Sequence, residues 1–292
     1  MNKTRKDIIV SLTILSVAIL APLFAQESPH AQGDNQVPVS TQWVLDAVGP
    51  TQRSAIKSVY LLLCPRTGTK GTAFLISKGI LVTDNHVVEG CGSSDLTAIS
   101  SMAERIMFAK MVTDPNRDLA LLKPSRPIEG GLKLGNDISP KVETAVTTWG
   151  FPLIYNGPAP LLSVGYVAGY DSARVGNKTV KHIVVNGAFN PGNSGGPLLL
   201  SGTDTVVGIV VWKMRLLPAW IQTFINHLSN TGIQTEVSEV TLADGTKSYL
   251  SREKLTAAMF QEFYNTVQVM IGEATSVSEL KESLHEKERE LQ

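Results

Sequence analysis

Several classes of protein are excluded by what this sequence has little of. Two cysteines in 292 residues can supply neither a disulfide-rich scaffold nor a four-cysteine zinc site. Five scattered histidines show no metal-ligand spacing. Neither charge dominates: 26 basic residues face 26 acidic ones, so no basic excess points to nucleic acid or an anionic membrane surface. Charged residues are few at 18% against 43% hydrophobic, the reverse of a disordered chain. No internal repeat is present. A chain of this length corresponds to about two domains at roughly 150 residues each, or one large all-β unit. It can bury a core without staples.

The one long apolar run is at the start. Lys3, Arg5 and Lys6 precede a mostly apolar stretch from Ile8 to Ala21, Pro22 breaks it, and Leu23-Phe24-Ala25 offers a cleavage site. This reads as a signal peptide over residues 1–25 and predicts a secreted or periplasmic protein. An uncleaved N-terminal anchor is the alternative, although the run is short of the roughly 20 residues a span needs. Export makes a Cys64–Cys91 disulfide the expectation, with two buried thiols as the other reading. Residues 26–50 begin polar, with Pro and Gly, and read as a linker and N-terminal segment.

From about residue 54 to 212 the pattern is short β-type runs broken by Gly, Pro, Asn and Asp. Examples are Ser58–Leu63, Thr72–Ile76, Gly79–Thr83, Leu119–Leu122, Val142–Trp149, Leu161–Ala168, Val180–Val185 and Thr205–Trp212. Such spacing predicts an all-β barrel or sandwich. Residues 216–292 read differently, as a hairpin and helical extension. Ala219–Leu228 is helical in period, and a hairpin is centred on Asp244-Gly245. Leu255, Met259, Phe263, Val267 and Met270 form one helix face, with Ser251 as N-cap and Gly272 as stop. From Ser276 on, Val277, Leu280, Leu284 and Leu291 form a short seam in a highly charged stretch, which reads as a solvated helix or frayed tail.

The strongest chemical signal is Phe189-Asn-Pro-Gly-Asn-Ser-Gly-Gly-Pro-Leu198. Ser194 lies between small residues that let a carbonyl approach and let backbone N–H groups turn toward it, although a glycine-rich turn with an ordinary serine has the same look. A serine needs a base, and the base needs an orienting group. His30 and His285 lie in polar segments, His227 on a helix, and His182 at the start of a strand. His86 follows the strand Gly79–Thr83 at a junction where a barrel can present a side chain. Asp118 precedes an apolar strand and can enter the interior to orient it; a turn acid is the plainer alternative. Asp84 would share a face with His86 at about 6–7 Å if the strand continued. A turn there would leave Asp84 solvated and capping it, so Asp118 is preferred.

These three segments, in the order His86, Asp118, Ser194, resemble the trypsin/chymotrypsin-like serine proteases, and more closely the HtrA/Deg type. Thr83-Asp-Asn-His-Val-Val is similar to that branch's TNxHVV block, Asp118-Leu-Ala-Leu-Leu-Lys to DLAVLK, and Asn190-Pro-Gly-Asn-Ser-Gly-Gly-Pro to the nucleophile block. The resemblance covers about residues 55–215. It implies a mainly β fold of two six-stranded antiparallel barrels, over residues 51–130 and 131–215, with the site between them. It implies a serine endopeptidase acting through His86, Asp118 and Ser194 and an acyl-enzyme, with Gly192 and Ser194 N–H groups at the oxyanion and Asn193 lining that turn. Polypeptides are the implied substrates, with no cofactor, no metal, no nucleic acid and no membrane contact beyond the signal segment. The family often forms trimers, so a homo-oligomer is open.

Departures from the family narrow the expectation. The residue before the nucleophile is Asn193 and no Ile-Val-Gly-Gly start is present, which argues against zymogen activation of the digestive kind. The segment after Arg215 has no Gly-Leu-Gly-Phe-like loop, so no PDZ domain is expected. Ala188, six residues before Ser194, disfavours cleavage after Arg or Lys, and Trp212 and Lys213 are expected at the pocket mouth. Gly192-Asn-Ser-Gly-Gly196 also satisfies the α/β-hydrolase elbow, but that fold needs the order Ser, acid, His and a helix after the serine. A catalytically latent protease-fold binding module is the alternative function.

Overall fold

The computed structural model describes residues 38–136, 139–175, 177–211, 219–230, 237–241, 247–266 and 271–291. The proposed signal peptide, nearly all of the polar part of the linker, Trp212, Lys213 and the Asp244-Gly245 turn lie outside the described residues.

Two short helices lead in, α1 (Val39–Ala47) and α2 (Pro50–Lys57). Pro50 starts α2 at a position where its missing N–H costs nothing. The first sheet then takes β1 (Val59–Cys64), β2 (Thr69–Ile76), β3 (Ile80–Asp84), a single turn of helix α3 (Asn85–Val88), β4 (Thr97–Ser100), β5 (Arg105–Ile106), β6 (Phe108–Asp114) and β7 (Leu119–Pro124). Its order is β5-β4-β1-β2-β3-β7-β6, all antiparallel. β5 and β6 are separated only by Met107 and form one bent strand that pairs with β4 at its start and with β7 beyond it, so the sheet curls on itself as the expected mainly β, chymotrypsin-like architecture requires. Tyr60, Leu62, Ala73, Leu75, Leu81 and Leu122 fill one side of this sheet. The expected Cys64–Cys91 disulfide is present, with Cα atoms 6.5 Å apart, and encloses α3 in its loop.

The second sheet begins with β8 (Lys133–Leu134), β9 (Ala145–Gly150), β10 (Leu161–Val175), β11 (Lys178–Gly187), β12 (Pro197–Leu200) and β13 (Thr205–Val211). Residues 215–267 form a separate compact unit containing α4 (Ala219–Asn230), the hairpin strands β14 (Val237–Thr241) and β15 (Lys247–Ser251), and α5 (Arg252–Thr266). Within that unit Phe224 and Phe260 meet edge to face at 6.1 Å, and Ser251 Oγ accepts the Lys254 N–H at the start of α5, the cap expected of it. The chain then rejoins the first unit with β16 (Ile271–Ser276) and α6 (Val277–Leu291).

β16 corrects the reading of Gly272 as a helix stop inside an extension. It pairs antiparallel with β11 on one side and β13 on the other, and with the β12–β13 ladder it closes a six-stranded barrel, β12-β9-β10-β11-β16-β13. Gly272 is needed there because a Cβ would stand 2.2 Å from the Phe189 ring. Helix α6 is not a solvated tail either. Val277, Leu280, Leu284 and Leu291 are buried in a core shared with Phe74, Val82, Leu121 and Trp149, which draws on both sheets. Burying each such side chain contributes roughly 1.5–3 kcal/mol, enough to dock the charged helix.

Candidate active site

The site is built where β3, β7 and the 189–196 loop converge. Asp84 ends β3, paired in register with Leu119 of β7. The chain then turns into α3, which can lie close on β2 because Gly71 has no side chain: a Cβ there would meet Val87 Cγ1 at 2.5 Å. His86 sits in this turn. Asp118, just before β7, grips it twice: Oδ1 accepts the His86 backbone N–H at 3.0 Å and Oδ2 the ring Nδ1–H at 2.8 Å. The Asp118 carbonyl also accepts the Asn85 N–H at 3.1 Å. Asp118 does this from a left-handed backbone, φ 54°, unusual for a residue with a side chain. A carboxylate only accepts hydrogen bonds, so in the neutral ring Nδ1 carries the proton and Nε2 holds the lone pair, the tautomer a general base requires.

Ser194 lies in a loop held by both sheets. The Ser194 carbonyl accepts the Thr72 N–H from β2 at 3.0 Å, and Thr72 Oγ1 donates to the Gly192 carbonyl at 2.6 Å while accepting the Phe151 N–H at 3.0 Å. The Gly195 N–H is shared between the Val210 carbonyl and Asp84 Oδ2, each at 2.9 Å. Two glycines are obligatory. Gly192 (φ 97°) would place a Cβ 2.4 Å from the Phe151 carbonyl, and Gly195 (φ 80°) one 2.1 Å from Thr83 Oγ1. Asp84 Oδ2 stands 4.0 Å from His86 Nδ1, so the serine loop and the histidine meet through it.

Asp84 therefore differs from its sequence reading. It is fully buried and makes no side-chain cap to α3, because β3 runs through it and turns its side chain inward. Asn193 stands in the serine turn: its N–H is bonded to the Asn190 carbonyl and its own carbonyl accepts the Gly196 N–H, each at 2.9 Å, and its amide is buried beside Gly150. Ala188 is half-buried just past β11. His182 is buried in β11 with Nδ1 3.1 Å from Glu273 Oε2. Sequence reasoning missed Thr72 altogether, since a strand threonine carries no signal of a loop 120 residues downstream.

Burial lowers the proton affinity of His86, but the Asp118 hydrogen bond and the charges of Asp84, Asp118 and Glu89 outweigh it and push the imidazole up to about 9. Burial, and next the charge of Asp118, push Asp84 well above the usual carboxylate range. Asp84, His86 and Asp118 offer ligand-type atoms within 4.8 Å of one another. Within that set His86 Nδ1 is hydrogen-bonded to Asp118, and Asp84 Oδ2 accepts the Gly195 N–H. No described helix is long and apolar enough to cross a membrane.

Residues 71–209 match the family model of the trypsin-like peptidase domain. A probable periplasmic serine endoprotease, DegP-like, of Pseudomonas fulva (strain 12-X) is 37% identical over 142 residues, which is 48% of this chain and 28% of that protein. The uncharacterized protein y4bJ of Sinorhizobium fredii is 33% identical over 154 residues, 51% of this chain and 23% of that one. This chain thus spans under a third of the length of the curated relatives it matches. Among solved structures, the Rv3671c protease from M. tuberculosis in its active form is 21% identical with a TM-score of 0.47, covering 64% of this chain and 83% of that one.

Proposed function

We propose that this trypsin-like peptidase domain works as an exported serine endopeptidase, with Ser194 as nucleophile, His86 as general base and Asp118 as its orienting acid. Ser194 Oγ attacks the peptide carbonyl as His86 Nε2 takes its proton. His86 passes that proton to the leaving amine, and water then cleaves the acyl-enzyme by the same route reversed. Asp118 fixes the tautomer and stabilises the imidazolium. The N–H groups of Gly192 and Ser194 receive the oxyanion, each worth about 100- to 1000-fold in rate. The observation that carries this reading is the double grip of Asp118 on His86, which leaves Nε2 as the ring's basic nitrogen.

An apolar residue of small or medium size is the favoured substrate side chain before the cut, since Ala188 brings no charge toward the pocket. Export rests on the N-terminal pattern and on the periplasmic description of the DegP-like relatives. Fluorophosphonate labelling of the chain from Gln26 onward, with peptide mapping, tests the reading. A single adduct on Ser194 that is lost in His86→Ala is the expected result. A folded protein that resists labelling under every condition would leave the latent binding module in its place.

A further inference from the structure

Asp84 is a buried acid that the proposed triad does not use. Its side chain is fully buried, Oδ2 accepts the Gly195 N–H at 2.9 Å, and the same oxygen stands 4.0 Å from His86 Nδ1. Oδ1 has no hydrogen-bond partner among the described residues. The groups that face the pair are Asp118 at the start of β7, Glu89 just past α3, and the Gly195 N–H of the serine loop. Among the described residues His86 is the only basic side chain within ion-pairing distance of Asp84.

A buried carboxyl with one hydrogen bond and an orphan oxygen is costly when charged, and a second carboxylate nearby adds to the cost. An imidazolium 4.0 Å away offsets it, since opposite charges at that range attract strongly where water is excluded. Each group therefore favours the charged form of the other. The Gly195 N–H is held more tightly by a carboxylate than by a neutral carboxyl, because charge-assisted hydrogen bonds are about twice as strong.

We infer that Asp84 is a positioning residue that couples the protonation of His86 to the seating of the serine loop: Asp84 and His86 titrate as one unit, and the Gly195 N–H reports the state of both. This rests on the triad reading only in naming His86 the base. Charge on the pair stiffens the loop, and its loss loosens the Gly195 contact. The pair then has two macroscopic protonation steps rather than one step per residue.

The test is an NMR titration of the His86 ring protons and of the Gly195 amide, in the Ser194→Ala chain to prevent self-cleavage. Asp84→Asn keeps an oxygen for Gly195 and removes the charge. In the parent, His86 should titrate over a broad, two-step range, with the Gly195 amide shift moving at the same midpoints. In Asp84→Asn, His86 should titrate in a single step lower by about one pH unit or more, and the Gly195 response should vanish. An unchanged His86 curve in the variant overturns the inference. If the variant does not fold, the parent alone decides, because a Gly195 amide that ignores the His86 midpoints also overturns it. None of these readings uses activity, so a chain that resists fluorophosphonate fails the triad reading while this titration stands or falls by itself.

Discussion

Arg117 and Asp118 are adjacent in the chain and head two ionic clusters of opposite character. Arg117 is 2% exposed and is met by Asp114 at 2.8 Å, Glu279 at 3.2 Å, Glu282 at 2.7 Å and Glu286 at 2.8 Å. Three of those acids come from α6, and Lys178 of the β10–β11 hairpin joins Glu286 at 2.8 Å. Every donor direction of the guanidinium is spoken for, and its charge is held by the Glu286 hydrogen bonds first. One residue on, Asp118 serves a histidine whose ring is 39% exposed, with Nε2 not engaged by the acid and Asp84 left half-satisfied beneath it. The same kinds of side chain thus make a clamp where every valence is filled. Where some are left open, as around His86, they make the arrangement proposed above as the catalytic site.

Mutations should break the two clusters in different currencies. His86→Ala or Ser194→Ala should lower turnover of a peptide substrate by about 10⁴- to 10⁶-fold, with a thermal midpoint close to the parent. A matching loss of stability would erase the distinction. Arg117→Met should instead cost about 3–5 kcal/mol in a denaturant titration, since it strands the buried Asp114 carboxylate, while the folded fraction still labels at Ser194. Reduction of Cys64–Cys91 should fall between, at about 2–4 kcal/mol for a sequence separation of 27. It should also slow labelling, because the freed loop carries His86. Glu286→Gln, at a side chain half in solvent, should cost under about 1 kcal/mol.

Acid and base should separate the clusters as well. The imidazole of His86 is raised in the fold, to about 9, so its stabilising charge is complete below its ordinary value of 6.5 and is lost as pH rises through about 9. Labelling of Ser194 needs the neutral ring and should climb over that interval. The Arg117 and Lys178 hydrogen bonds hold Glu286 down at about 2, so the clamp is complete above the ordinary carboxylate range and weakens as pH falls toward 2. A labelling profile flat from pH 6 to 10 would sink the assignment of His86 as base.

How much of this was legible beforehand depended on range. The eight β-type runs each coincide with a strand, though β10 runs on seven residues past Ala168 and Trp212 lies outside the described residues, because branched apolar runs report burial directly. Ile271–Ser276 was not readable. Ile-Gly-Glu-Ala-Thr-Ser has no apolar alternation, and its pairing with β11 and β13 is a tertiary fact that overrides local preference. The seam of α6 was visible, but its partner Arg117 lies 162 residues upstream of Glu279, so the charges read as solvation. His86, Asp118 and Ser194 stood out through their neighbours. The role of Asp84 is not legible locally, because nothing near it in the chain signals the Gly195 N–H that it meets inside.

The position of β16 also orders events in time. Strands β9 to β13 are complete by Val211, yet the barrel they form lacks its sixth member until Ser276 has been made. At synthesis rates of about 5–20 residues per second the gap is several seconds. Through that interval the 189–196 loop has no finished wall to rest on, and α6 has not yet reached Arg117. The loop that presents Ser194 is thereby framed only after residues far downstream of it have been made.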